Sequence, residues 1–298
     1  MSISLDGIIL KGIGGFYYVE TPAGIYACKA RGLFRKTRIT PLPGDRVRVA
    51  VTHEGDREAY IEEIYARKSL LVRPPCANVD RMFIVASAES PEAVPLLIDK
   101  MTAVCEKKGI DPVILVSKSD LADSAPLVAA YQKCGFTAFA VSAQTGEGLD
   151  RLKDLIKGHL CAFAGQSGVG KSSILNFLLP DALAQVGELS ERLERGRHTT
   201  RHVELFSYAG GLIADTPGYG DLSIERFEPV YKEELESCFR EFAPYVGRCR
   251  FAGCSHDKEP GCAVKAAVAE GEIPASRHES YLAMLYEVKD LKEWERSE

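Results

Sequence analysis

The run Gly165-Gln166-Ser167-Gly168-Val169-Gly170-Lys171-Ser172 fits the pattern G-x4-G-K-S, and its chemistry is that of a polyphosphate cradle. Glycines let the backbone curl until its N–H groups converge on phosphate oxygens, and a helix starting at the end of the run adds the positive end of its dipole. Lys171 is placed to neutralise the β- and γ-phosphates, and Ser172 to ligate Mg²⁺. Ser173 opens the helix-like stretch Ser173-Ile174-Leu175-Asn176-Phe177-Leu178 and completes the binding run. The apolar segment Leu160 to Ala164 reads as the strand feeding it, which is the context the pattern requires. The bland alternative is a glycine-rich turn that binds nothing. The loop by itself does not choose between ATP and GTP.

Asp215-Thr216-Pro217-Gly218 follows the apolar strand Gly211-Leu212-Ile213-Ala214. An aspartate at a strand end can hold the Mg²⁺ shell, and the Gly218 N–H can approach a γ-phosphate. An Asp-initiated Pro-Gly turn is common, so position after the phosphate loop is what favours the functional reading. Between the two lies Arg195-Gly196-Arg197-His198-Thr199-Thr200-Arg201-His202. A threonine here, Thr199 or Thr200, is placed to complete the Mg²⁺ coordination when a γ-phosphate is present, which would make the loop a nucleotide-ordered switch. A solvated basic loop is the alternative.

Ser117-Lys118-Ser119-Asp120 ends the strand Val113-Ile114-Leu115-Val116 and resembles the N-K-x-D guanine-reading motif. The Asp120 carboxylate would accept from the guanine ring N–H and exocyclic amine, a donor pair adenine lacks. The Lys118 stem would lie along the base. Ser117 replaces the usual Asn, and its shorter hydroxyl weakens the expected link to the phosphate loop. Ser142-Ala143-Gln144-Thr145-Gly146-Glu147-Gly148-Leu149 looks like the companion S-A loop, with the Ala143 N–H meeting the guanine carbonyl. Each motif alone is weak; two at family spacing, each at a strand end, reinforce one another.

The order of the motifs is unusual. Base motif and S-A loop precede phosphate loop, switch threonine and D-x-x-G, a circular permutation of the common arrangement. Compact domains tolerate this because their chain ends are often close. The chain then leaves the nucleotide region straight after Gly218.

Cys249-x4-Cys254-x-His256-x5-Cys262 offers three thiolates and an imidazole within fourteen residues. That soft four-ligand set suits one tetrahedral, structural Zn²⁺ with no open position. Cys28, Cys76, Cys105, Cys134, Cys161 and Cys238 are dispersed, and core packing accounts for them.

The elements that must position these groups are legible as patterns. The first 66 residues read as short strands, among them Gly15 to Val19, Gly24 to Cys28 and Arg46 to Val51, with a turn at Pro41 to Asp45. A five-stranded OB-fold barrel is expected. After the boundary at Pro74-Pro75 the chain alternates: strands at Arg81 to Ala86, Pro112 to Val116, Thr137 to Val141 and Leu160 to Ala164, helices at Val94 to Lys108 and Glu147 to Lys157. That is a parallel sheet covered by helices. Helical stretches at Tyr231 to Phe242, Cys262 to Glu270 and Ser276 to Trp294 surround the cysteine cluster. The fold class expected is therefore α/β: a circularly permuted P-loop GTPase domain (67–223), an N-terminal OB-fold β-barrel (1–66) and a C-terminal, mainly helical zinc-binding domain (224–298).

The chain has 298 residues, 46% hydrophobic and 27% charged, with net charge −5. It is no polycation, so any RNA contact must come from local patches. Residues 1–73 hold twelve Lys/Arg and eight Asp/Glu, a balance of +4. The basic residues Lys29, Arg31, Arg35, Lys36 and Arg38 sit beside Tyr17, Tyr18, Tyr26 and Phe34, aromatics that either stack bases or fill the barrel core. No apolar run reaches the ~20 residues of a membrane span. Met1 to Ile13 lacks a signal-peptide pattern, and the odd, scattered cysteines suit reduced thiols. The compartment expected is the cytoplasm.

Taken together, rotated motif order, the Gly196-Arg197-His198-Thr199-Thr200 switch, the OB-like N-terminus and the C-x4-C-x-H-x5-C tail resemble the ribosome small-subunit-dependent GTPase family (RsgA-type), over essentially the whole chain. The resemblance implies hydrolysis of GTP to GDP and phosphate, stimulated by the small ribosomal subunit and coupled to late steps of its maturation. It also implies that barrel and zinc domain contact ribosomal RNA. The residues themselves add that Tyr219 stands where many GTPases carry a water-orienting Gln. Hydrolysis alone should then be slow, with His198 the in-chain candidate to position water or, alternatively, a loop histidine that packs or binds RNA. A monomer is expected. The competing readings are a P-loop ATPase, a GTP-dependent switch on another structured RNA, and a zinc and RNA scaffold with weak GTPase activity.

Overall fold

The computed structural model describes residues 3–31, 34, 39–53, 55, 57–72, 74–180, 203–215 and 230–289. The first five strands are β1 (Ser4–Ile13), β2 (Phe16–Thr21), β3 (Gly24–Ala30), β4 (Arg46–His53) and β5 (Glu58–Ile64). They close into a barrel in the order β1-β2-β3-β5-β4. Neighbours pair antiparallel except β3 with β5, which run parallel, Lys29 opposite Tyr60. Alternation along each strand sends Ile9, Val19, Cys28, Val47, Val49 and Ile61 inward to a sealed core. Tyr26 and Phe34 belong to that core, so burial claims two of the four aromatics that could have offered a stacking face. Arg35, Lys36 and Arg38 lie outside the described residues.

The turn before β4 is pinned from inside. Asp45 is fully buried and accepts from the Leu42 N–H at 2.8 Å and from Arg67 Nε at 2.7 Å. Arg67 also donates to the Thr40 carbonyl at 2.7 Å. A buried carboxylate met by a guanidinium fork and an amide is fully satisfied. The sequence boundary at Pro74-Pro75 is a small hairpin, β6 (Leu70–Val72) with β7 (Pro75–Ala77).

Beyond it, β8 (Arg81–Ser87), β9 (Asp111–Ser117), β10 (Thr137–Ala140), β11 (Leu160–Ala164), β12 (Glu204–Tyr208) and β13 (Gly211–Asp215) form one six-stranded sheet, ordered β10-β9-β8-β11-β13-β12. The pairs β9–β10 and β11–β13 are parallel, and β12 is an antiparallel edge. Both β9 and β11 are nearly continuous apolar runs, as strands covered on both faces must be. Helices α1 (Pro95–Lys108), α2 (Ala125–Lys133), α3 (Leu149–Ile156) and α4 (Lys171–Leu178) connect them. Proline at the first turn of α1 fits its fixed φ, and Gly109, at φ 66, ends the helix by donating to Cys105 O and Glu106 O.

Two compact units result: residues Met1–Arg81, Arg151–Phe163 and Leu175–Tyr219, and residues Met82–Asp150, Ala164–Ile174 and Gly220–Glu298. The base motif, the S-A loop, the phosphate loop and the cysteine cluster all belong to the second.

The C-terminal part carries α5 (Lys232–Leu235), two 3-10 turns (Glu236–Cys238 and Arg240–Phe242), α6 (Ala263–Ala269) and α7 (Ala275–Val288). The single helix expected over Tyr231 to Phe242 is broken at Phe239 (φ −109, ψ 87). Leu235, Cys238, Phe239, Glu241 and Phe242 are all buried. One helical stripe reaches the first three and Phe242 but not Glu241. The break turns Glu241 toward Arg277, with Arg277 Nε to Glu241 Oε1 at 2.6 Å. Among the described residues no helix is long and apolar enough to cross a membrane.

Candidate guanine-nucleotide site and metal centre

The phosphate loop leaves β11 and enters α4 as the sequence pattern requires. Gly165 has φ 143, and a Cβ there would lie 2.2 Å from the Val85 carbonyl, so only glycine fits against β8. Gly165 is buried, while Ser167, Gly168, Ser172 and Ser173 are exposed on the loop and first turn, with Gln166 and Gly170 intermediate and Val169 packed inward. The Lys171 ammonium folds back over the loop, donating to the Gly165 carbonyl at 2.9 Å and also to the Gln166 carbonyl. Those oxygens hold the charge above the cradle that a phosphate would occupy.

Ser117 ends β9 with its hydroxyl buried against that same loop. It hydrogen-bonds the Val169 carbonyl, with the Ala86 carbonyl 3.0 Å away on the other side. A hydroxyl has one hydrogen to give, and both carbonyls lie within its reach. The base motif and the phosphate loop are therefore joined directly, by serine where asparagine is usual. The link to the phosphate loop that the sequence led us to expect is made by the serine hydroxyl.

Lys118 turns the chain through the left-handed region (φ 58) and donates its ammonium to the Ser90 carbonyl. Asp120 is exposed, but its carboxylate is held: buried Ser142 donates to Asp120 Oδ1 at 2.6 Å. The same Ser142 oxygen receives the N–H groups of Gln144 and Thr145 at 3.2 and 3.1 Å. Ser119 adds a second tie, Oγ to Glu147 Oε2 at 2.7 Å. A residue after Ser142, Ala143 is partly exposed at the mouth of its loop. Gly148 closes the loop, since any Cβ there would meet the Ala140 carbonyl at 2.2 Å. The Ser142–Asp120 and Ser119–Glu147 hydrogen bonds thus hold the two loops side by side, with the Asp120 carboxylate on one and Ala143 on the other.

Asp215 is the last residue of β13, and the parallel pairing of Ala162 with Ala214 sets that end level with the end of β11. The side chain of Asp215, together with His198, Thr199, Thr200 and Gly218, lies outside the described residues.

The four metal candidates converge. The ligand atoms of Cys249, Cys254, His256 and Cys262 all lie within 4.8 Å of one another. Cys249 Sγ is 3.9 Å from Cys262 Sγ, and His256 Nδ1 is 3.3 Å from Cys262 Sγ and 3.7 Å from Cys249 Sγ. Zinc–sulfur and zinc–nitrogen bonds of about 2.0–2.3 Å in a tetrahedron require ligand separations of roughly 3.5–4 Å, so this donor set fits the ion. The sulfurs also receive backbone N–H groups, Ala263 to Cys249 at 3.3 Å and Lys265 to Cys262 at 3.4 Å, the latter at the N-terminus of α6. The remaining cysteines are packing residues. Burial pushes the thiols of Cys28, Cys76 and Cys134 up to about 12, which leaves them unreactive.

Sequence reasoning missed one constellation. Arg277 on α7 is buried and donates to Asp99 Oδ1 at 2.6 Å, Glu241 Oε1 at 2.6 Å and Thr102 Oγ1 at 3.1 Å. Tyr131 donates to the same Asp99 oxygen at 2.8 Å. The guanidinium also stacks over Phe239, 4.5 Å from its centroid. Two carboxylates face one cation here. Burial pushes the Asp99 carboxyl up, and the Arg277 charge with the Ser280 and Tyr131 hydrogen bonds only partly offsets it.

Known proteins resemble this chain over nearly its whole length. A family model described as RsgA GTPase matches residues 64–225, and one described as RsgA N-terminal domain matches residues 6–61. The chain is 47% identical over 290 residues to the small ribosomal subunit biogenesis GTPase RsgA of Caldanaerobacter subterraneus, with 96% of each chain covered. It is 45% identical over 293 residues to the protein of the same name from Geobacillus kaustophilus, covering 96% of this chain and 98% of that one. Among solved structures it resembles YjeQ from Thermotoga maritima (TM-score 0.82, 33% identity, 97% and 100% covered). It also resembles YloQ, a circularly permuted GTPase (TM-score 0.81, 36% identity, 97% and 96% covered). With more than half its length matched by the first model and nearly all of it aligned to such relatives, the chain belongs to the RsgA GTPase family.

Proposed function

We propose that this GTPase binds GTP in one pocket, with Ser117 to Asp120 and Ser142-Ala143 on the guanine and Gly165 to Ser173 on the phosphates. The observation that carries this reading is the Ser117–Val169 hydrogen bond between base motif and phosphate loop. Asp120, oriented by Ser142, accepts the guanine donor pair, and a base lacking those donors leaves the carboxylate unpaired. Lys171 swings from its carbonyl partners onto the β- and γ-phosphates. A bound Mg²⁺ would supply charge neutralisation at the phosphates. Ser172, Asp215 and one of Thr199 or Thr200 would hold it, and the Gly218 N–H would contact the γ-phosphate. His198 positions the attacking water, because Tyr219 has no amide to do so.

The curated relatives are named for biogenesis of the small ribosomal subunit, which supports that subunit as the partner here. Hydrolysis is slow alone, accelerates on the subunit and accompanies late maturation. Ribosomal RNA is contacted by the barrel and by the zinc domain, where one Zn²⁺ on Cys249, Cys254, His256 and Cys262 holds the fold. The domains are 1–66, 67–223 and 224–298, the first two in line with the family matches at 6–61 and 64–225. The protein works as a monomer in the cytoplasm.

Co-sedimentation with separated ribosomal subunits, read alongside GTP turnover, tests this. Binding to the small subunit is expected in the GTP-analogue state, and stimulated turnover when GTP itself is supplied. Equal binding to both subunits, or stimulation by neither, contradicts it.

A further inference from the structure

His256 presents its two ring nitrogens to different partners. Nδ1 faces the thiols of Cys262 and Cys249, while Nε2 lies 2.8 Å from Glu236 Oε2. The ring itself is almost fully buried, and the Glu236 side chain is 37% exposed. Glu236 opens the 3-10 turn that follows α5, between buried Leu235 and Cys238, so its backbone is fixed by packing on both sides. Around the imidazole, Phe242 packs edge-on at 5.8 Å, Tyr281 lies at 6.0 Å, and His278 Nε2 meets the His256 carbonyl at 2.7 Å. His256 also sits at φ 60, a left-handed conformation that a non-glycine residue keeps only where its surroundings dictate it.

We infer that Glu236, twenty residues upstream of the ring it contacts, is the positioning residue of the metal site. It accepts the Nε2 hydrogen, fixes the tautomer with Nδ1 free to coordinate, and raises the electron density that Nδ1 offers the cation. Partners of this kind orient and tune a metal-bound histidine, and losing one costs about 10–100-fold in affinity. Glu236 lies outside the C-x4-C-x-H-x5-C run, so the ligand pattern gives no hint of it. The inference rests on zinc occupying the Cys249, Cys254, His256 and Cys262 cluster.

The test is zinc release from the purified full chain into a colorimetric chelator, 4-(2-pyridylazo)resorcinol, for wild type, Glu236→Ala, Glu236→Gln and Glu233→Ala, with Co²⁺-loaded protein scanned in the visible range. Glu236→Ala should release zinc about 10–100-fold faster and shift the Co²⁺ bands. Glu236→Gln, whose neutral amide oxygen still accepts the hydrogen, should fall between it and wild type. Glu233 is exposed on the same segment, and its removal should change neither readout. A wild-type protein that carries no zinc refutes the metal reading itself. If zinc is present but Glu236→Ala releases it at the wild-type rate with an unshifted spectrum, the positioning role is wrong, even if the thermal midpoint drops. Should Glu236→Ala not fold, the rate and spectrum of Glu236→Gln decide the matter by the same criterion.

Discussion

The Ser117 hydroxyl hydrogen-bonds the carbonyl of Val169, 52 residues further along the chain. One side chain thereby ties the strand end that reads the base to the loop that cradles the phosphates. Ser117→Ala should cut this tie while leaving Asp120 and the phosphate-loop groups as they are. Loss of one buried hydrogen bond costs about 1–1.5 kcal/mol, so affinities for GDP and GTP should fall together, roughly tenfold. Titration of a fluorescent guanine nucleotide measures it; unchanged affinity contradicts the link.

Lys171→Ala removes the cation that now rests on the Gly165 and Gln166 carbonyls. Phosphoryl transfer depends on charge neutralisation at the transferring group. Turnover should therefore disappear with and without added ribosomal subunits, while the thermal midpoint stays near wild type. Residual stimulated hydrolysis in a phosphate-release assay would remove Lys171 from its assigned role.

Arg277→Ala strands the buried Asp99 and Glu241 carboxylates. Breaking a buried ion pair from one side destabilises by about 3–5 kcal/mol. Denaturant unfolding should show a loss of that order, and Arg277→Lys, which keeps charge but not the fork, a smaller one. Equal stability of Arg277→Ala and wild type would mean the cluster contributes nothing.

Asp99 sets a pH dependence of definite sign. Burial raises its carboxyl from the ordinary 3.8, so above that value the folded chain holds a proton that the unfolded chain has released. Stability from this group is full below the unfolded value and declines as pH rises through the raised one. Asp99→Asn mimics the protonated form and lacks the decline. Unfolding free energies of the two proteins, measured from pH 4 upward, should diverge in favour of the variant; parallel curves contradict the assignment.

How much of this was legible in the sequence follows from how far apart the partners sit. Phosphate loop, base motif and zinc ligands are each short runs of recognisable residue types and spacing, so they are legible locally. The barrel was legible because alternation and turns are local. Arg277 and Asp99 are 178 positions apart, and nothing near either residue announces a buried ion pair; charged residues on helices are normally solvated. The break at Phe239 leaves Glu241 facing Arg277, a pairing equally hidden from the local sequence. Strand β12 was passed over, although Val203-Glu204-Leu205-Phe206-Ser207-Tyr208 carries a partial alternation that an edge strand needs. Tyr26 and Phe34 could have been surface or core by type, and only closure of the barrel decides.

The most direct test of the account is a nucleotide competition titration on wild type and Asp120→Asn, with GTP, XTP and ATP. Wild type should prefer GTP over both others, and Asp120→Asn should shift toward XTP, because an amide in place of the carboxylate matches the xanthine carbonyl. If Asp120→Asn keeps the wild-type order of preference, or wild type takes ATP as readily as GTP, Asp120 does not read the base and the single pocket proposed here is wrong.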